Sequence, residues 1–309
     1  MTISWRPLTR DDSAAAAAME NAASAQDGTG VTVSPEVYAE LFDAPRFDPA
    51  KDTFSVWVDD QLAGTGSLWI RDELFEGRAM VGMEGTTAPE FRGRGFGAAM
   101  LDRLERRGAE LAAERFPDSP VRLRTSGGLA DSSAQQLLEL RGYRPDNYFV
   151  TMHADLTTWS DPGTPTDTTA PTKELSEAVR QAHNDAFRDH RNFTAVPADD
   201  WAHWKSSSAM RPAHGRVVVE DDRVLAYAIC GEYEPGVLHV ELVGTRREAR
   251  GRGLAREVLI DVLRGAQQHY PIAELEVDQT SPTGADRLYT SVGFQPVRTI
   301  SRYIRDLET

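Results

Sequence analysis

Cysteine is almost missing from this chain, with only Cys230 among 309 residues. An internal disulfide and a cysteine-rich metal site are therefore excluded, and a reducing compartment is consistent. Cys230 itself reads as a small apolar residue in a strand-like segment, 224–231. Positive charge is also short: 34 basic against 48 acidic side chains leave a net charge of −14. Sequence-independent nucleic-acid binding needs clustered cations, so this balance argues against it. Long apolar runs are absent, and no segment approaches the ~20 residues that span a bilayer. Where a leader would carry basic residues, Asp11 and Asp12 precede the alanine run 14–18, which reads as a first helix. No His-Glu-x-x-His or paired-cysteine spacing is found, so no metal is expected. We expect a cytoplasmic protein with no membrane or nucleic-acid partner.

What is present suffices for packed cores. Hydrophobic residues make up 40% and charged residues 27% of a chain long enough for two domains. The clearest break is 160–172 (SDPGTPTDTTAPT), polar and without periodicity, which reads as a linker. Up to Asp155 there are 16 basic and 25 acidic residues, and beyond it 18 and 23, so neither half is a basic tail.

Three markers recur in the same order in both halves. The first is a hairpin: 54–58, Asp59-Asp60 and 62–70, then 217–219, Asp221-Asp222 and 224–231, with the turns 162 positions apart. The second is a strand (79–87 or 237–245), a glycine-rich turn and a helix (98–115 or 256–269), offset by 158. Its turns read Arg92-Gly93-Arg94-Gly95-Phe96-Gly97 and Arg250-Gly251-Arg252-Gly253-Leu254-Ala255. Leu101, Leu104, Gly108 and Leu111 share one face of the first helix, and Leu254, Val258, Val262 and Leu263 one face of the second. The third is a strand (121–125 or 273–277), a polar loop and a short helix (132–141 or 283–291) ending at Gly142-Tyr143 or Gly293-Phe294, offset by 151. A slowly drifting offset is what two copies of one α/β unit with different loop lengths produce.

A glycine-rich turn entering a helix suits an anion. Its backbone N–H groups are accessible, and the helix N-terminus adds about +0.5 charge. The spacing is neither the G-x-G-x-x-G of a dinucleotide turn nor the Gly-Lys-Ser/Thr of a Walker loop. Arg-x-x-Gly-x-Gly/Ala, found twice between strand and helix and followed each time by the third marker, resembles the GNAT superfamily of N-acetyltransferases. The likeness covers nearly the whole chain.

That resemblance implies an α/β fold of two tandem GNAT (acyl-CoA N-acyltransferase) domains, each a mixed central sheet flanked by helices. The divisions are an N-terminal domain over 1–158, a linker over 159–172 and a C-terminal domain over 173–309. It further implies acetyl-CoA as co-substrate, its pyrophosphate held by Arg92, Gly93, Arg94, Gly95, Phe96 and Gly97 and by Arg250, Gly251, Arg252, Gly253, Leu254 and Ala255. Parallel strands 237–245 with 273–277, and 79–87 with 121–125, are expected to splay around the pantetheine arm beside Val243, Thr245 and Thr87. Ser281 stands in the loop where relatives often carry Asn.

Acetyl transfer to an amine needs a route for the amine proton and an acid for the departing thiolate. Tyr289, four residues before Gly293-Phe294, matches the position of the family's acid, whereas the first copy has Leu138 there. Glu241 and His239, nine and eleven residues before Arg250, share one face of a period-two strand and are the candidate bases. The first copy has Met83 and Val81 at those positions, so the C-terminal copy is expected to be catalytic and the N-terminal one degenerate. The acceptor is expected to be a small-molecule primary amine. Residues 186–204, with Phe193, Trp201 and Trp204 beside polar groups, are a candidate pocket. The tandem layout is similar to mycothiol synthase, which acetylates a cysteinyl sugar, and equally to actinobacterial small-molecule acetyltransferases. A non-enzymatic acetyl-CoA-binding module is the alternative of another class. Nothing in the sequence specifies an oligomeric state.

Overall fold

The computed structural model describes residues 2–190, 193–279 and 284–307. In chain order the elements are β1 (Ile3–Arg6), α1 (Ser13–Asp27), α2 (Pro35–Glu40), α3 (Pro49–Asp52), β2 (Thr53–Val58), β3 (Gln61–Ile70), β4 (Ala79–Thr87), α4 (Phe96–Arg115), β5 (Val121–Gly128), α5 (Ser133–Leu140) and β6 (Arg144–Asp155). There follow α6 (Ser176–Ala186), α7 (Ala198–Lys205), β7 (Arg216–Glu220), β8 (Arg223–Gly231), β9 (Val237–Thr245), α8 (Leu254–Ala266), β10 (Ile272–Asp278), α9 (Ala285–Ser291) and β11 (Gln295–Leu307). No helix among the described residues is long and apolar enough to cross a membrane.

The chain forms two compact units, Met1–Tyr148 with Thr299–Thr309, and Phe149–Arg298. The strands of the first unit run β1-β2-β3-β4-β5-β11 and those of the second β6-β10-β9-β8-β7. Thus the edge of β5 is covered by the end of the chain, Ser301–Leu307, and β10 is covered by residues 149–155 of β6, both antiparallel. Sequence order alone would assign 149–158 to the first unit and 299–309 to the second. Pairing of an exposed strand edge, rather than proximity in sequence, sets the membership. A cut in 160–172 would take one strand from each unit.

Residues 160–172 are held against the second unit. Thr169 and Val217 exchange two backbone hydrogen bonds of 2.9 and 2.8 Å. The Thr168 hydroxyl donates to Asp261 at 2.6 Å, and Arg264 on α8 donates to Asp161 at 2.7 Å. The polar composition that reads as a linker here supplies side-chain partners for an extended strap.

Each unit repeats the same local devices. Both hairpin turns place two aspartates at positive φ, Asp59 and Asp60 at 46° and 66°, Asp221 and Asp222 at 49° and 58°. That is the geometry of a two-residue turn whose twist matches the strands. On the first helix of each unit an asparagine clasps a later backbone residue in both directions. Asn21 accepts from Val33 N and donates to Val33 O, both at 2.9 Å, and Asn184 does the same with Val196 at 2.9 and 3.3 Å. The buried faces of α4 (Leu101, Leu104, Gly108) and α8 (Val258, Val262, Leu263) pack on their own sheets. Cys230 is fully buried on β8.

Candidate functional site

Strands β9 and β10 are parallel and pair only at Val237–Ile272, Leu238–Ala273 and His239–Glu274. Beyond that register they part, so the β10-facing backbone groups of residues 240–245 have no ladder partner. In the first unit β4 and β5 likewise pair from Ala79–Val121 to Met83–Thr125 and then separate. The expected splay is thus built twice.

At the mouth of each splay lies the glycine turn. Gly251 and Gly253 adopt φ of +79° and +85°, Gly93 and Gly95 +73° and +83°, and a Cβ added at any of the four would meet nothing within 4 Å. Helices α8 and α4 start directly after Gly253 and Gly95 with no side-chain cap. Their first N–H groups are therefore available to an anion approaching over bare backbone. Phe96 and Leu254 are buried at the first helical turns, anchoring the loops from beneath. Gly97 and Ala255 follow inside those turns, where at Gly97 an added Cβ would lie 3.5 Å from the Thr87 hydroxyl.

The signature arginines hold the turns from outside. Arg92 makes a two-pronged pair with Asp27 at the end of α1 (2.6 and 2.9 Å), and its Nε donates to Thr87 O. Arg250 donates to Ala186 O at the end of α6 (2.7 Å) and to Asp189 (3.3 Å). Both guanidinium groups thus tie the turn to the first helix of their unit. Arg252 is paired with Glu220, and Arg94 lies 5.2 Å from the centroid of the Phe91 ring. Val243 packs on the α8 core, while Thr245 Oγ1 is buried without a hydrogen-bond partner. Ser281 lies outside the described residues.

A β-bulge decides where Glu241 sits. Ile229 pairs with Leu242 and Cys230 with Val240, so Glu241 is an extra residue on β9. The β3–β4 pairing of the first unit runs without interruption from Gly64–Thr87 to Ile70–Val81. Glu241 therefore has no counterpart there: Met83 is buried toward α4 as Val240 is toward α8. A bulge breaks strand parity and re-aims a side chain. It does so here beside Gly231, where an added Cβ would lie 2.9 Å from Glu241 Oε1. That oxygen is buried and has no hydrogen-bond partner. Burial raises the carboxyl pKa, opposed by the charge of His239, a hydrogen bond from Tyr233 and the charge of Lys205.

His239 sits at the last paired register, where its Nδ1 lies 3.2 Å from Glu274 Oε1. Glu274 also contacts His153 Nε2 at 2.7 Å and accepts from Arg298 at 2.8 Å. Burial would raise the Glu274 pKa, but these three partners hold it far below the carboxylate range. For His239, burial lowers the pKa, but the Glu274 bond and the charges of Glu241, Glu274 and Glu276 outweigh it and the net shift is upward.

Tyr289 lies on α9 and packs edge-on against Phe294, 6.3 Å between centroids. Its backbone carbonyl accepts from Phe294 N at 3.1 Å, as that of Leu138 accepts from Tyr143 N at 3.0 Å, so the two are cognate positions. Burial pushes the Tyr289 hydroxyl up to about 12. Leu138 is buried in the first core.

Three residues were invisible to motif reading. Tyr227, fully buried on β8, contacts His183 Nδ1 at 2.8 Å and runs beneath Gly244, where an added Cβ would meet its hydroxyl at 2.4 Å. Lys205 ends α7 with its Nζ buried and without a hydrogen-bond partner. Tyr233 reaches Glu241 from the loop after β8. None stands in a recognisable spacing; only the fold gathers them. Of the aromatic residues in 186–204, Trp201 is core, its ring tilted against those of His183 and Trp204 at 5.8 and 5.1 Å between centroids.

The profile of the Acetyltransferase (GNAT) family matches the chain twice, over residues 18–119 and 176–294. No curated protein matches it. Among solved structures, a GCN5-related N-acetyltransferase from Sphaerobacter thermophilus superposes with a TM-score of 0.75 at 23% identity, covering 99% of this chain and 96% of that one. A tandem GNAT protein from the clavulanic acid biosynthesis pathway gives 0.69 at 16% identity, over 100% and 99%. The N-myristoyltransferase of Saccharomyces cerevisiae, solved with myristoyl-CoA, gives 0.70 at 10% identity, over 98% and 78%. At these identities the likenesses concern the fold. With the family profile lying on both units, and the same turn, splay and short helix built in each, this chain belongs to the GNAT acetyltransferase family as a tandem of two such units.

Proposed function

We propose that the second unit is an acetyl-CoA-dependent N-acetyltransferase that acts on the primary amine of a small molecule by direct attack. The observation that supports this most is Glu241, bulged out of β9 at the splay with a buried oxygen that nothing in the described structure satisfies.

The residues present fit the co-substrate. The left-handed glycines leave the α8 amides uncovered for a pyrophosphate, the parted strands leave backbone groups for an extended amide arm, and Thr245 Oγ1 is an orphaned polar atom beside them. When bound, acetyl-CoA would supply an activated acyl carbon and a thiolate leaving group. Glu241 accepts the amine proton as the nitrogen–carbon bond forms. Tyr289, which its burial keeps protonated, donates the proton that the sulfur takes up when its bond to carbon breaks. His239, held by Glu274 and with its pKa raised, favours the ionised form of Glu241 through its charge. The first unit keeps the turn but lacks the bulge and the tyrosine, which fits a unit without turnover of its own.

Release of free coenzyme A by the full-length chain, measured against a panel of small primary amines, tests the reading. Amine-dependent release is expected, and release that no amine stimulates would remove the enzymatic assignment. Gly253→Val places a β-branched residue at φ +85°, a strain of roughly 1–3 kcal/mol. Calorimetric titration with coenzyme A is expected to show at least a tenfold weaker site; unchanged binding would exclude this turn as the cradle.

A further inference from the structure

Among the buried side-chain atoms of the second unit without a hydrogen-bond partner are two of opposite charge, Glu241 Oε1 and Lys205 Nζ. The topology brings them to one place. Lys205 closes α7, and the residues after it are laced to the end of β8. Met210 bridges Gly231, Arg211 N donates to Cys230 O at 2.9 Å, and Glu232 N donates to Ala209 O at 2.8 Å. An added Cβ at Gly231 would lie 2.9 Å from Glu241 Oε1 and 3.4 Å from Ala209 O, so carboxylate and lysine segment flank the same glycine. Each group feels the other's charge, yet no hydrogen bond joins them. The ammonium lies 5.7 Å from the centroid of the Trp204 ring. A buried ammonium that no anion hydrogen-bonds is costly, and burial lowers the Lys205 pKa although the charge of Glu241 opposes it.

We propose that the acceptor is an amino-acid-like molecule, a primary amine that carries a carboxylate, and that Lys205 reads the carboxylate while Glu241 receives the amine. This rests on the acetyl-transfer reading of the second unit. A zwitterion satisfies both orphaned atoms at once: its ammonium end pairs with Glu241, passes one proton through it to solvent to become the nucleophilic amine and gives Glu241 a second as the nitrogen–carbon bond forms, and its anionic end restores a partner to Lys205. Trp204, beside the ammonium, supplies apolar surface for the carbon skeleton between the two ends.

The test uses the full chain, acetyl-CoA and two matched pairs of amines, β-alanine with propylamine and phenylalanine with phenethylamine. The ratio of kcat/KM within a pair is expected to favour the acid by roughly 10- to 100-fold, the worth of a charge-assisted hydrogen bond. Lys205→Met should bring that ratio near one, and Lys205→Arg should restore part of it. In parallel, calorimetry with coenzyme A present compares N-acetylphenylalanine with N-phenethylacetamide, and carboxylate-dependent binding should be lost in Lys205→Met. Equal use of both amines by the wild type, a preference that survives Lys205→Met, or an equal loss for both amines overturns the inference and leaves the transferase reading standing. Carboxylate-dependent binding with no turnover of any amine would uphold the lysine site and overturn the transferase reading instead.

Discussion

Tyr289→Phe is expected to lower kcat by roughly 10²- to 10³-fold, the range that a positioned proton donor contributes, with coenzyme A binding unchanged. The hydroxyl is raised to about 12 by burial, so it stays protonated across the working pH range and has a proton to give when the thiolate leaves. Phenylalanine preserves the ring that packs against Phe294 and on the α8 core, and melting temperature should therefore hold. Rapid-quench measurement of the chemical step is the decisive readout. A wild-type rate in the variant would remove Tyr289 from the reaction and turn attention to Tyr227, whose hydroxyl senses that of Tyr289 from beneath Gly244.

Glu241→Gln is the second large effect, expected at about 10²-fold or more in kcat/KM at neutral pH. Its sign with pH follows from the environment. Burial raises the Glu241 pKa above the ordinary glutamate value, and a base works only when ionised. The wild-type rate should therefore climb with pH through that raised pKa. In the glutamine variant this limb should vanish, leaving only the titration of the amine itself. His239→Gln removes a positive charge that now favours ionised Glu241, so the limb should move to higher pH. A wild-type profile in Glu241→Gln would show that the amine proton leaves by another route.

Much of this was legible in the chain. The duplicated order of hairpin, strand, glycine turn and short helix predicts two copies of one α/β unit, and the positive-φ aspartates and glycines sit where the turn chemistry requires. The correspondence of Tyr289 with Leu138 is a matter of counting back from a glycine, and the backbone bonds of both helices match it. Counting works there because helix and turn geometry are local.

Parity along β9 was less reliable. Period-two spacing puts His239 and Glu241 on one face and matches Glu241 with Met83, whereas the bulge makes Glu241 an extra residue. His239 and Glu241 do lie on one side, with Leu238 and Val240 on the other; the bulge interrupts the alternation only between Glu241 and Leu242, and that shifts the match with Met83. A bulge depends on the partner strand, and β8 is not written into the sequence of β9. The turn arginines illustrate the same limit. Arg92 and Arg250 carry the motif, but their guanidinium groups lie against Asp27, Asp189 and a carbonyl from distant first helices.

The sequence by itself determined what is set within a few residues or by periodic burial: helices and turns, the repeat, the strong acidity, and the asymmetry of Tyr289 against Leu138. Tertiary structure alone decided what depends on which edge meets which strand. It assigned the last strand of the chain to the first unit and residues 149–155 to the second. It also brought the segment after α7 against β8 and so set the Glu241 carboxylate and the chain that follows Lys205 beside one glycine. Burial and long-range pairing are properties of the packed chain, and the charges they leave unpartnered come to light only after packing.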